Sequence, residues 1–135
     1  QQFIDLGLYG DCFKGYGGEE PYLDLKYWLC GSQVWVDPAL RIIHYPGPRN
    51  YVASAADYYR NFMMAAYAIG GKGWLERIYN EDDPGASLPR DVLASIRLQA
   101  RQLAEPERRV VQARQLMDLD QLLLWFRTAG VVEPN

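Results

Sequence analysis

The chain has 135 residues, of which 49% are hydrophobic and 13% aromatic, enough to build one packed domain and too many for a disordered segment. Its net charge of −3 excludes a broadly basic surface for nucleic acid. The two cysteines are too few for a disulfide framework, and no apolar run reaches the roughly 20 residues of a membrane span. We therefore expect a cytoplasmic protein without a membrane span.

A loop rich in glycine and aromatic residues comes first, over residues 7–18, and is called the glycine loop below. Five glycines in twelve positions predict sharp turns or a close approach of backbone, either in a surface turn or in the wall of a pocket. Glu19 and Glu20, called the acid pair below, precede Pro21 and should begin a helix, because its dipole favours carboxylates in the first turn. Gly31 is the predicted end of that helix.

Two short extended segments are predicted next. Residues 33–36 alternate polar and apolar side chains, which indicates a β-strand that ends at Asp37 and Pro38. Residues 41–44 predict a second strand or extended segment. Two prolines and a glycine at positions 46–48 break any regular structure after it. His44, the only histidine, therefore lies where this segment meets a loop.

The remainder of the chain predicts helices. Residues 54–69 carry an apolar stripe that Gly70 and Gly71 should close, residues 73–79 predict a short helix or turn, and residues 80–87 resemble a linker. Further helices are predicted over residues 87–105, 107–117 and 119–128, with Asp118 or Asp120 at the start of the last. The pattern is thus α/β up to residue 80 and all-helical afterwards.

The order of motifs resembles a signature of glycosyltransferases of the GT-A fold. Residues 15–20 read Gly-Tyr-Gly-Gly-Glu-Glu, residues 25–31 read Leu-Lys-Tyr-Trp-Leu-Cys-Gly, and the predicted strand and His44 follow. The group includes family-2 glycosyltransferases, polypeptide N-acetylgalactosaminyltransferases and β-1,4-galactosyltransferases. The resemblance covers residues 7–51. It implies that residues 1–80 are the C-terminal, acceptor- and metal-binding half of an α/β nucleotide-diphospho-sugar transferase, with residues 81–135 as a helical extension.

The resemblance also implies a missing part. The amino-terminal half of such enzymes carries the nucleotide pocket and an Asp-x-Asp metal motif. Here the letters Asp118-Leu119-Asp120 fall in a helical region and indicate a helix cap. The chain also begins with Gln1 instead of methionine. We therefore expect a piece of a longer enzyme, or a subunit that a partner chain completes.

The implied reaction transfers a sugar from a nucleotide-diphosphate sugar to a hydroxyl acceptor. Glu20 would be the catalytic base, which favours an inverting reaction, and Glu19 would orient the acceptor. His44 would bind the divalent metal that stabilises the leaving diphosphate, and imidazole suits Mn²⁺. The residues expected to contact substrate are Tyr16, Gly17, Gly18, Trp28 and Arg49.

Several alternatives stay open at this stage. The two glutamates would also fit a helix start without a catalytic role, and a lone histidine is often no ligand. Trp28 at helical spacing also fits a packed core. The chain as a whole would fit a non-catalytic module that docks a partner through its helical tail. A further alternative is that the acceptor is a nucleic acid, although the net negative charge of the chain disfavours it. Its phosphates would then be bound by the five arginines of that tail, at positions 97, 101, 108, 109 and 114.

Overall fold

The computed structural model describes residues 6–15, 17–34, 37–41, 43, 54–81 and 88–129. These residues form five α-helices: α1 (Glu20–Leu29), α2 (Ala55–Glu81), α3 (Arg90–Leu103), α4 (Glu105–Arg114) and α5 (Leu119–Thr128). Helix α2 is central and packs against α1, α3 and α4, while α1 also contacts α5. Within this part of the chain, no helix combines the length and the apolar character that crossing a membrane requires.

The α/β prediction is wrong, because the residues that the structure describes contain no β-strand. Gln33 and Val34 have no regular structure, and neither do residues 41 and 43; residues 35, 36, 42 and 44 lie outside the described part. A strand needs a neighbouring backbone to pair with, and helices are the regular elements that surround these segments. The side chain of Ile43, which the strand pattern would bury, is 94% exposed.

Two predicted helix ends are confirmed. After α1, Gly31 has a φ of +76°; its N–H bonds the Trp28 carbonyl at 3.0 Å, and the Ser32 N–H bonds the Tyr27 carbonyl at 2.8 Å. This pair of bonds is the Schellman arrangement that glycine permits. At the start of α5, the Asp118 carboxylate accepts a hydrogen bond from the Gln121 N–H at 2.8 Å. The Asp118 N–H in turn donates to Gln121 Oε1 at 2.9 Å, which completes a capping box.

Helix α2 is longer than predicted. Gly71, with a φ of 75° and a ψ of −163°, interrupts the helix as expected, and of the short helix or turn predicted over residues 73–79 the helix is observed, continuing to Glu81. The Arg108 guanidinium of α4 donates to the carbonyls of Ala68 at 3.2 Å and Ile69 at 2.7 Å, just before this break. A donor from another helix therefore bonds carbonyls at the bend, where the helical ladder is interrupted.

The helices before and after residue 81 share one apolar core. Met63, Met64 and Leu75 of α2 pack in the same buried cluster as Ile96 of α3 and Val111 of α4. The predicted interruption near Pro106 is confirmed, but it falls at Ala104, and Pro106 lies in the first turn of α4, where its missing N–H costs nothing. The division into domains 1–80 and 81–135 stays a prediction.

A buried ion pair joins α1 to α4. The Lys26 side chain is 2% exposed; its Nζ lies 2.5 Å from Glu107 Oε1 and donates to the Leu8 carbonyl at 3.1 Å. The Tyr22 hydroxyl donates to the same Glu107 oxygen. Burial, and then this hydrogen bond, raise the pKa of Tyr22, so the phenol remains a donor at neutral pH. The glycine loop, α1 and α4 thus meet at the buried Lys26 ammonium, which is paired with Glu107 and hydrogen-bonded to the loop.

Replacing Lys26 tests this junction. We expect Lys26→Met to lower the free energy of unfolding by about 3–5 kcal/mol, because the Glu107 carboxylate loses its counter-charge. The matched control is Arg109→Gln, which removes an exposed pair with Glu105 and should cost less than about 1 kcal/mol. Urea unfolding followed by circular dichroism measures both variants. Equal, small losses in the two variants would contradict a structural role for the buried pair.

Candidate functional site

The second half of the glycine loop lies directly on α2. Gly17 and Gly18 are buried and have φ values of +93° and +80°. A Cβ atom added to Gly18 would lie 2.7 Å from the Tyr58 carbonyl oxygen and 2.8 Å from the Phe62 nitrogen. One added to Gly17 would lie 2.3 Å from the Tyr58 ring. Only glycine allows both the backbone conformation and this close approach.

The Asn61 side chain fastens the glycine loop to α2. Asn61 is completely buried, and its Nδ2 donates to the carbonyls of Lys14 at 2.9 Å and Gly17 at 3.0 Å. Its Oδ1 accepts the Lys14 N–H at 3.3 Å. The sequence analysis did not single out Asn61. An amide inside an otherwise apolar helix stripe was the available signal, because a buried amide needs partners.

The acid pair follows the loop at the amino terminus of α1. Glu19 occupies the position before the helix without capping it, and its Oε2 is buried with no hydrogen-bond partner among the described residues. Glu20 lies in the first turn and is exposed. The helix dipole favours both carboxylates here. The site thus offers one buried acceptor oxygen without a partner and one carboxylate open to solvent.

Tyr9 is a further polar group near the acid pair. Its ring is 44% exposed. Partial burial and the negative charges of Glu19, Glu20 and Asp24 raise the pKa of its phenol, so the hydroxyl stays protonated and can donate. The sequence analysis chose Tyr16 from the same loop and passed over Tyr9. The signal was weak, since nothing in the loop composition distinguishes one tyrosine from the other.

An apolar cavity of about 160 Å³ lies next to the acid pair. Gly18 and Pro21 line one side, Phe62 of α2 another, and Leu119 and Leu123 of α5 a third. Its lining is almost entirely apolar, and an apolar cavity of about this size can hold a benzene-sized group. The carboxylates of the acid pair therefore lie next to an apolar surface that is poorly hydrated.

The structure brings together only some of the residues predicted for the site. Gly17, Gly18, Glu19 and Glu20 adjoin one another where α1 begins. Trp28 lies about 12 Å further along that helix, at eight residues of about 1.5 Å rise each. Tyr16, His44 and Arg49 lie outside the described residues. The roles assigned to all of these residues stay predictions.

A metal site is not formed by the part of the chain that the structure describes, where no three His, Cys, Asp or Glu side chains cluster. These residues alone do not fit a bound Mn²⁺, so no catalytic step is derived through one. Cys12 and Cys30 are free thiols, and burial raises the pKa of both. A thiol with a raised pKa is a weak nucleophile and a weak metal ligand at neutral pH.

Comparison with known proteins identifies partial relatives. The chain is 34% identical over 93 residues to N-acetylgalactosaminyltransferase 6 of Drosophila melanogaster, a match over 62% of this chain and 14% of that protein. It is 35% identical over 68 residues to human polypeptide N-acetylgalactosaminyltransferase 9, over 49% of this chain and 11% of that protein. No protein-family model matches the chain, and no solved structure does. The chain thus resembles polypeptide N-acetylgalactosaminyltransferases over a small part of their length.

Substituting Gly18 tests the close packing of loop and helix. We expect Gly18→Ala to destabilise the chain by about 2–4 kcal/mol, because the new methyl group meets backbone atoms and the positive φ becomes strained. Gly73→Ala is the control, because a Cβ there meets nothing within 4 Å, and alanine should stabilise this helical position by up to about 1 kcal/mol. Thermal unfolding measures both variants. A Gly18→Ala protein as stable as the wild type would contradict the packing described here.

Proposed function

We propose that this chain is the acceptor-binding part of a glycosyltransferase that moves a sugar, N-acetylgalactosamine by analogy with its relatives, from a nucleoside diphosphate to a hydroxyl group. The observation that carries the proposal is the Gly17-Gly18-Glu19-Glu20 segment, which Asn61 holds against α2. The relatives named above support the same reaction class. The nucleotide-binding part comes from sequence outside this chain or from a partner chain.

Glu20 is the proposed base. Its exposed carboxylate takes the proton of the acceptor hydroxyl as the hydroxyl oxygen bonds to the anomeric carbon. The bond between that carbon and the diphosphate oxygen breaks with its electron pair, and the nucleoside diphosphate leaves. A base on the acceptor side corresponds to inversion at the anomeric carbon. The configuration of the product, read by NMR, tests this point, since retention would exclude Glu20 as the base of a direct displacement.

Glu19 and Tyr9 orient the acceptor in this proposal. The buried Oε2 of Glu19 has no hydrogen-bond partner in the described structure, so an acceptor hydroxyl or amide would satisfy it. The Tyr9 phenol stays protonated and donates to an acceptor oxygen. The neighbouring apolar cavity is the proposed binding place for an apolar portion of the acceptor. Gly18 lines that cavity, and Tyr16, Gly17 and Arg49 are proposed as further substrate contacts.

His44 is proposed as one ligand of a divalent metal, Mn²⁺. Imidazole is a suitable ligand for Mn²⁺, and the ion would stabilise the charge of the leaving diphosphate. The other ligands would come from outside the residues described here.

A non-catalytic module that docks a partner through its basic tail is the second candidate. The contacts of the tail arginines favour the first candidate, the glycosyltransferase. Arg97 pairs with Glu76 at 2.8 Å, and Arg109 pairs with Glu105 at 3.1 Å. Arg108 is bound to carbonyls of α2. These side chains already have partners within the chain, which leaves less positive charge for a protein partner or for phosphate.

The acid pair is tested by Glu20→Gln in the full length of protein that its gene encodes. We expect transfer to fall by about 10²–10⁴-fold, because the amide cannot accept the proton, with unchanged circular dichroism. Asp24→Asn, one turn further along α1 and also exposed, is the matched control and should keep most of the activity. Wild-type turnover in Glu20→Gln would remove Glu20 as the base. Equal losses in both variants would indicate an effect of general charge.

The metal assignment is tested by calorimetry of Mn²⁺ binding to the full-length protein in the presence of UDP. We expect His44→Ala to weaken Mn²⁺ binding by at least about tenfold, because a ligand is lost. Asp37→Ala is the control, because Asp37 is an exposed acid close to His44 in the sequence, and this variant should bind Mn²⁺ as the wild type does. Unchanged Mn²⁺ affinity in His44→Ala would remove the histidine from the metal site without affecting the assignment of Glu20.

A further inference from the structure

A second cleft lies at the opposite end of α1 from the acid pair. It has a volume of about 180 Å³ and is formed where the end of α1 meets α5. Its lining includes Trp28, Ser32, Gln33, Met117 and Trp125. We call it the aromatic cleft.

Three aromatic rings give the cleft a fixed wall. The centroids of Trp28 and Trp125 are 5.6 Å apart with planes at 40°. Phe126 braces both, at 5.5 Å from Trp28 in an edge-to-face contact and at 5.2 Å from Trp125. Trp125 nevertheless remains 46% exposed. A tryptophan that is held in place and half open to solvent presents a large surface at little cost in side-chain entropy.

Part of the lining of the cleft is polar but uncharged. The turn at Gly31 brings the buried Ser32 and the exposed Gln33 into its lining. None of the described residues that line the cleft has an ionisable side chain. A phosphate or a carboxylate is bound most strongly by cationic side chains, which this lining does not offer, so it favours neither a nucleotide nor an acidic peptide.

The combination fits the two kinds of surface on a sugar ring. The C–H groups of a pyranose form an apolar face that packs on an indole, and its hydroxyl groups exchange hydrogen bonds with neutral amide and hydroxyl side chains. From this lining we propose that the aromatic cleft is a glycan-binding site that takes a neutral pyranose ring, separate from the acid pair. Trp125 and Trp28 provide the stacking surface, the exposed Gln33 the polar contact, and Met117 the apolar edge.

This site needs neither a nucleotide nor the acid pair, so it stands or fails independently of the proposed transferase activity. NMR of the tryptophan indole N–H signals of this chain tests it, with the methyl glycosides of galactose and of N-acetylgalactosamine as probes. We expect saturable shifts of the Trp28 and Trp125 signals. The Trp74 signal should stay in place, because Trp74 lines the apolar cavity instead. Galactitol, an open-chain polyol without a ring face, should produce no saturable shift.

Two substitutions assign the binding. Trp125→Ala should weaken glycoside binding by about tenfold or more, as expected for an aromatic anchor, and Trp125→Phe should retain part of it. Gln33→Ala, an exposed position, should weaken binding without risk to the fold. Leu124→Ala is the control, because Leu124 is exposed beside Trp125 but does not line the cleft, and it should bind as the wild type does.

Several outcomes would overturn the proposal. These are the absence of saturable shifts, equal shifts with galactitol, and unchanged affinity in both Trp125→Ala and Gln33→Ala. Such a surface could instead bind a second copy of the chain, and analytical sedimentation of the chain without glycoside tests this alternative. A dimer that Trp125→Ala dissociates, with no glycoside binding to the wild type, would assign the cleft to a second copy of the chain and overturn the glycan site.

Discussion

The side-chain amide of Asn61 bonds both backbone groups of Lys14 and the carbonyl of Gly17 from a completely buried position on α2. Leaving this buried amide without partners would cost about 1–3 kcal/mol. Any other path of the glycine loop would break these bonds, so they hold the loop in its observed path. The loop leads into α1 through Gly18. The position of the acid pair therefore depends on one amide in the middle of another helix.

Helix α1 is also held from its other side. Lys26 and Tyr22 share the Glu107 carboxylate of α4, and Lys26 reaches back to the Leu8 carbonyl in the glycine loop. Because a buried charge is costly unless it is paired and hydrogen-bonded, this contact allows few alternative arrangements of α1, α4 and the loop. The later helices thus support the element that carries Glu19 and Glu20, and α5 adds one wall to the apolar cavity and one to the aromatic cleft.

Local signals in the sequence predicted the helices and their ends well. Gly31 and Asp118 act through backbone geometry and a single side chain, and both predictions are confirmed. The strand predictions at residues 33–36 and 41–44 were wrong because a four-residue segment does not by itself supply a pairing partner. The partner of Asn61 is 44 residues away in sequence and that of Lys26 is 81 away, so no local pattern revealed either contact. The resemblance correctly pointed to relatives among the N-acetylgalactosaminyltransferases, but not to the fold class of the described chain.

The most direct measurement is hydrogen exchange at the Lys14 backbone amide, which donates to Asn61 Oδ1, compared between the wild type and Asn61→Leu. Leucine is nearly isosteric with asparagine but has neither a donor nor an acceptor, so the bonds to the Lys14 N–H and to the Lys14 and Gly17 carbonyls are all lost. If Asn61 fixes the glycine loop, the Lys14 amide is protected in the wild type and exchanges rapidly in the variant, while α3 and α4 keep their protection. Rapid exchange of Lys14 in the wild type, or equal protection in both proteins, would contradict this account of how the acid pair is positioned.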